Sequence, residues 1–336
     1  MLIGSVSALI NMLANGLASK NPFLQSAYVV AYAICIMVLI SIFAYFFGWI
    51  ERKVIAKAQY RHGPTYVGKF GIFQNLADLV KLIAKQKMVP GNADRVPFIL
   101  APIFLVSLTI FMLFLLPFSS SLQATNMGLG MLIIFVLIGF TPLLLFVAAY
   151  SSGNKYADIS AQRSVLMLLS YELPMVISIA AVFLLAKTYS ISGIINAQSH
   201  LWFIALMPIG FVVFFIAMLA ELERPPFDLR EADSELIAGW LTDISAPYYA
   251  LSLFLDYSRI FLGSLLIAII FLGGWEGPAL SGIIWLVGKA FIIALATILI
   301  RATTVRMRID RILRFGWVWL MPLSLINLIL AYLIMR

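Results

Sequence analysis

The sequence predicts an all-α polytopic membrane protein, with about eight transmembrane helices plus an amphipathic surface helix. Three observations carry that prediction. Of its 336 residues, 63% are hydrophobic and 11% charged, where a soluble domain carries roughly 25% charged residues. Eight apolar stretches are long enough to span, each needing about 20 residues. Finally, the charges gather in every second loop between those stretches. One membrane domain over residues 1–336 is therefore expected.

The spans fall near 27–50, 96–118, 128–150, 164–186, 201–220, 248–272, 282–300 and 316–335. Residues 1–26 lack a basic leading region and do not read as a signal peptide; a short interfacial helix is expected there. The loops at 51–95, 151–163, 221–247 and 301–315 hold 18 of the 23 Lys and Arg and twelve of the fifteen acids. Basic loops remain on the cytoplasmic side, so these four are expected to be cytoplasmic and both termini outside, in the cell membrane.

Between the first two spans, residues 71–87 place Ile72, Phe73, Leu76, Leu79, Val80 and Ile83 on one helical face, with Asp78, Lys81, Lys85 and Lys87 towards the other side. That is an amphipathic helix lying on the membrane. It is either a simple surface anchor or the lip of a lateral opening for a lipid-soluble substrate. Gly63 to Lys69 matches G-x-x-x-x-G-K, but Phe70 stands where Ser or Thr must hold magnesium and an apolar span precedes it, so no P-loop is expected.

Residues 221–243, ELERPPFDLREADSELIAGWLTD, carry seven of the fifteen acids and a net charge of −5 in a chain of net +8. Pro225-Pro226 stops a helix arriving from the N-terminal side. Asp228 then reads as an N-cap with Glu231 as its capping-box partner. A helix from that point aligns Asp228, Glu231 and Glu235 on one face, while Asp233 points elsewhere. Crowded acids raise one another's proton affinity, which suits proton exchange. The same pattern also suits a plain surface helix with acids at its N-terminus.

Charges inside the spans are costly and usually face a bundle interior or water. Glu172 lies two residues before Pro174, and Lys289 lies in the seventh span. Asp256 and Arg259 share a helix face and form either a structural ion pair or, for Asp256 with Glu172 and Lys289, part of a proton path. Pro142, Pro174 and Pro208 each free backbone carbonyls that a polar interior would satisfy. The loop 301–315, with five arginines and Asp310, reads as a basic patch for anionic lipid or an acidic partner. One cysteine, Cys35, and two histidines, His62 and His200, supply no iron–sulfur ligand set, disulfide framework or zinc site. Any redox chemistry must draw its electrons from another subunit.

Six motifs occur in order: ERK (Glu51 to Lys53) with R-x-G-P-x-x-x-G (Arg61 to Gly68); LADLVKLIAK with ADRVPFILAP; SSGNKY with AQRSVLMLLSYE; ELERPPFDLREADSELIAGW; LGGWEGP; and R-x-R-x-D (Arg306 to Asp310). Together they resemble the H subunit of the proton-pumping NADH:quinone oxidoreductase, respiratory complex I, called subunit 1 in mitochondria. The resemblance implies a subunit of a proton-translocating oxidoreductase with no redox centre of its own and quinone as substrate rather than a covalently bound cofactor. It implies partners too: peripheral-arm redox subunits with the terminal iron–sulfur cluster, small membrane-arm and antiporter-like subunits, and lipids, with no nucleic acid. By the same resemblance Glu221, Glu223, Asp228, Glu231, Glu235 and Asp243 form the acidic proton-coupling loop, which Glu172 and Asp256 continue into the membrane. Arg52, Arg61 and Phe227 fall at the quinone tunnel. Arg230 stands where Pro is common in the family. Members that oxidise reduced coenzyme F(420) or ferredoxin share the pattern; the homologous anchor subunits of membrane-bound hydrogenases match the amphipathic helix and the C-terminal Arg/Asp loop less well. A solute transporter would show inverted repeats, and the two halves show none; a pure structural anchor would not account for the concentrated acids.

Overall fold

A computed structural model describes residues 22–230, 233–278 and 281–336, and within them the chain is helical with no strand. In order come α1 (Pro22–Ala58), the surface helix α2 (Gln74–Ala84), α3 (Arg95–Leu115), α4 (Gly130–Tyr150) and α5 (Lys155–Ala186). The short α6 (Ile191–Ala197) and α7 (Phe203–Leu206) lead to α8 (Pro208–Glu221) and the single turn α9 (Asp233–Leu236). The chain closes with α10 (Ala246–Phe271), α11 (Gly282–Thr303), α12 (Ile309–Phe315) and α13 (Met321–Met335). A π-helical turn joins α12 to α13 as one span. Among the described residues, seven helical segments are long and apolar enough to cross a bilayer. The interfacial helix expected before the first span lies largely outside the described residues.

The fifth expected span is not one helix. It breaks at Met207-Pro208 into α7 and the 14-residue α8. Pro208 has no N–H to continue a helical ladder, and it drives the residue before it out of the α region; Met207 sits at φ −133°, ψ 64°. At 1.5 Å per residue α8 is about 21 Å long, short of the ~30 Å hydrocarbon core. This expected span is therefore replaced by two shorter helices, neither long enough to cross on its own. Conversely, α1 with its 37 residues reaches about 55 Å, and its last turns carry Glu51 to Lys57 past the apolar zone. Residues 155–163, expected as loop, are the first turns of α5, and Asn154 caps them by accepting the Tyr156 N–H at 3.0 Å.

α10 is the axis of the bundle. Its apolar window is 78% buried, against 28% for α1 and 22% for the last span. It packs on α1, α2, α3 and α11, while α5 gathers α4, α8 and α13 around it. Phe43 stacks on Phe47 at 4.1 Å and leans on Phe261 at 4.2 Å, which joins α1 to α10. Outward, Val30, Ile34, Val38 and Ile42 of α1 and Ile326, Ile329, Leu330 and Leu333 of α13 form exposed stripes at helical spacing, suited to acyl chains or neighbouring spans.

The C-terminal end of α10 is held by a polar clasp. Gln198 donates to the Ile269 carbonyl at 2.9 Å and accepts the Gly273 N–H at 2.9 Å. Lys289 of α11 donates to the carbonyls of Leu272, Gly274 and Glu276 at 2.6, 3.0 and 2.7 Å and lies 4.4 Å from the Trp202 ring centroid. Helix ends leave orphan carbonyls, and here a buried ammonium satisfies them. Lys289 thus sits at the C-terminal end of α10, away from Asp256 near the middle of that helix, with all three donors committed.

Candidate functional site

Near the middle of α10, the terminal parts of α1, α8 and α11 bring charge together. Glu221 closes α8 and meets Arg259 of α10 at 3.2 Å. Glu223 lies between Arg230 at 2.5 Å and Arg259 at 3.6 Å. Arg230 also reaches Asp256 at 3.3 Å and lies 5.2 Å from the Trp240 ring centroid. Glu51, at the end of α1 and only 2% exposed, pairs with Arg224 at 3.1 Å and with Arg301 at the end of α11. A small polar cavity lined by Glu223, Arg224, Asp228, Arg230, Asp256 and Arg301 connects the two halves. Desolvating charges this deeply costs several kcal/mol per ion unless each is paired, so alternation of acid and arginine is what lets the cluster be buried.

Backbone geometry builds this arrangement. Gly239 has φ +56°, and a Cβ there would lie 1.9 Å from the Arg230 carbonyl oxygen. That close approach lets the Ser160 hydroxyl of α5 donate to the same carbonyl at 2.7 Å, which fixes the base of the arginine. Gly139 on α4 plays the same part for Glu172, whose Oε1 would lie 2.6 Å from a Cβ at that position. Glu172 is half-buried. Two cavities of about 10 and 20 Å³ flank Glu221, one reaching Pro142 and Ser164, the other Thr141 and Arg259. Each has room for about one water.

The acidic segment is not one helix face. α9 begins at Asp233 and is a single turn, so Asp228 does not cap it and does not align with Glu235. Tertiary ion pairing overrides local capping propensity here: Arg230 is drawn inward between two acids, and the chain around it turns with it. Glu231 lies outside the described residues. Glu235 is exposed and pairs with Arg163 at 2.6 Å; that hydrogen bond holds its carboxyl below the usual range. Asp243 accepts from Asn154 Nδ2 at 2.8 Å, apart from the network. Asp256 and Arg259 do not form the pair their spacing suggested. Each instead turns to a residue of the 221–230 segment.

An apolar chamber of about 350 Å³ lies between α1, α2 and α10. Leu76, Leu79 and Leu82 of the surface helix face Phe254 and Tyr257 across it, and Arg52 and Asp78 form a polar edge. α2 is fastened over the chamber by Tyr45, whose hydroxyl donates to the Ile72 carbonyl at 2.6 Å, and by Asn75, which donates to the Tyr45 carbonyl at 2.8 Å. Of the three tunnel residues expected, Arg52 lines the chamber and pairs with Asp78 at 2.5 Å. Arg61 is exposed and donates to Gln59 at 2.8 Å; Phe227 is buried edge-on to Tyr171 with centroids 5.1 Å apart. Partial burial pushes the Asp78 carboxyl up, but the hydrogen bonds from Arg52 and Gln74 outweigh it and hold it below its ordinary value. A depressed carboxylate stabilises above its unfolded value and ceases to do so as pH falls through its folded one. Amide exchange in α2 should therefore accelerate below about pH 4, by an amount under about 1 kcal/mol because the pair is partly exposed. Arg52→Gln should abolish that acid step.

Glu51, Arg301 and Tyr257 were not expected in the site. Glu51 carried a signal, an acid at the end of an apolar span, but which way a helix faces its neighbours is not written in the span itself. Among the described residues no group of His, Cys, Asp and Glu has the arrangement to hold a metal ion.

An apolar chamber under a surface helix, beside buried carboxylates and arginines at one end of a helix bundle, defines a polytopic membrane protein whose polar work is gathered at a single face. Sequence comparison gives the group within that class. The NADH dehydrogenase family profile matches residues 30–332, and the chain belongs to that family. It is 36% identical to the NADH-quinone oxidoreductase H subunit of Dehalococcoides mccartyi over 90% of this chain and 86% of the relative. It is 37% identical to the protein of the same name from Carboxydothermus hydrogenoformans, over 86% and 83%. It is 40% identical to the F(420)H(2) dehydrogenase H subunit of Methanosarcina mazei, over 83% and 85%.

Proposed function

We propose that the chain is the H subunit of a respiratory complex of the complex I type, oxidising either NADH or reduced F(420), and that it couples quinone reduction to proton translocation. The single observation that carries this reading is the chamber between α1, α2 and α10, set beside the buried ion network. In it a quinone head enters from the bilayer past α2 and passes Arg52. Electrons come from the terminal iron–sulfur cluster of a peripheral-arm partner. Two electrons make the quinone transiently anionic and two protons then neutralise it to quinol, and that passing negative charge is felt by Glu51 and by the acids beyond it. The chain has its charged loops in the cytoplasm and both termini outside the cell membrane, with small membrane-arm and antiporter-like subunits receiving the signal.

Glu221 is the carboxylate best placed to hold an exchangeable proton, because it lies largely covered between two water-sized cavities and faces Arg259. In the assembled complex, Glu221→Gln should lower quinone reduction and proton pumping by about 10²-fold, the size of a lost acid–base group. Glu235→Gln, which touches an exposed pair, should cost less than about twofold. Normal pumping by Glu221→Gln would remove Glu221 from the proton path.

A further inference from the structure

One turn of α4 is shared by two acids. Ile138 and Thr141 line one of the water-sized cavities beside Glu221, and Pro142 lines the other. Gly139, in the same turn, faces Glu172 of α5. A Cβ built on Gly139 would have the Glu172 carboxyl as its nearest neighbour, with Oε1 at 2.6 Å, Cδ at 3.5 Å and Oε2 at 4.0 Å. Non-bonded heavy atoms rest at about 3.5–4.0 Å, so the carboxyl occupies the space a side chain would take. Among the described residues no ion pair or hydrogen bond holds that carboxyl; it is placed by packing. Tyr171 lines the Pro142 cavity together with Glu221, so Glu172 is one residue from the wall they share. Gly139 lies in the interior of α4, where glycine is a poorer helix former than alanine. Its place is accounted for by the room it leaves.

We propose that Gly139 is a positioning residue of the proton path: the space it leaves seats the Glu172 carboxyl against the turn of α4 that walls both Glu221 cavities. This rests on the proton-path reading of the acids given above. On that path Glu172 gains one proton in passing from carboxylate to carboxylic acid and gives it up on return; no other bond changes. A methyl group at position 139 displaces the seated oxygen. The displaced atom is the far end of a flexible side chain, so the two helices keep their packing, and the loss falls on where the carboxyl rests.

The test uses the assembled complex with its own electron donor and 2,3-dimethyl-1,4-naphthoquinone as acceptor. For Gly139→Ala, KM should stay within about twofold of wild type, while kcat and protons pumped per second fall about tenfold, within the ~10²-fold that an ångström of misplacement can cost. Its thermal midpoint should be at or above that of wild type, because alanine favours the helix. Glu172→Asp, shorter by one methylene, withdraws the carboxyl from the added methyl. The double variant Gly139→Ala/Glu172→Asp should therefore turn over about threefold faster than Gly139→Ala, a coupling that only residues in contact show. Wild-type kcat in Gly139→Ala, a change in KM alone, or losses that multiply in the double variant would each overturn the proposal. So would a failure of Gly139→Ala to assemble that Glu172→Asp does not relieve, the mark of a packing role. Glu172→Gln separates the two readings. If it turns over and pumps normally, Glu172 is not on the proton path and the reading beneath the proposal fails. If it is impaired while Gly139→Ala is silent, only the role of Gly139 fails.

Discussion

Arg230→Met should destabilise the protein by about 3–5 kcal/mol, the cost of stranding buried charge when one partner of a buried pair is removed. Arg230 is 4% exposed, and its guanidinium spans from Glu223 to Asp256. Without it, Asp256 loses the cation it faces, and Glu223 keeps only Arg259 at 3.6 Å. Arg230→Lys should recover part of the loss and not all, since an ammonium is a point charge that cannot fork between two carboxylates as a guanidinium does. Thermal unfolding of the purified complex, followed by loss of helical signal, measures both. A loss below about 1 kcal/mol for the methionine variant would mean that the acids take up protons or water instead, and that the arginine is not the keystone of the cluster.

The second large effect is expected from Leu79→Trp. Leu79 is 42% exposed and lies on the chamber side of α2, so a larger side chain enters the 350 Å³ space without disturbing a packed core. Quinone reductase kcat/KM should fall at least tenfold, which is about 1.4 kcal/mol of transition-state stabilisation, while assembly and stability stay near wild type. Leu79→Met, which keeps the volume, should be close to silent. The comparison isolates occupancy of the chamber from any general weakness of the surface helix.

Most of the bundle was legible in the sequence, because hydrophobic length is a property of a segment by itself. The surface helix was legible for a related reason: Leu76, Leu79 and Ile83 keep a helical period. What was not legible depends on rotation and on neighbours. Pro208 was visible as an interruption, but whether a proline kinks a span or divides it depends on what packs around the freed carbonyls. Asp228 offered good capping chemistry, yet residues 228–230 are not helical, because an arginine drawn between Glu223 and Asp256 outweighs a cap worth about 1 kcal/mol. The spacing of Asp256 and Arg259 placed both on one face of α10 correctly. It could not say that each would find its partner on another segment. Glu51 shows the same limit, since only the packed bundle reveals that consecutive Glu51 and Arg52, about 100° apart on α1, serve different neighbours, one the network and one the chamber.

The clasp of Gln198 and Lys289 has a mechanical meaning. With five hydrogen bonds anchoring its far end, α10 cannot slide along its axis like a piston. It is tied at two places: beyond Phe271 by the clasp, and near its middle by the ion pairs of Asp256 and Arg259 with Arg230, Glu221 and Glu223. The stretch between the ties, from Arg259 to Phe271, is about 18 Å at helical rise, and any bending driven from those ion pairs would have to be taken up within it.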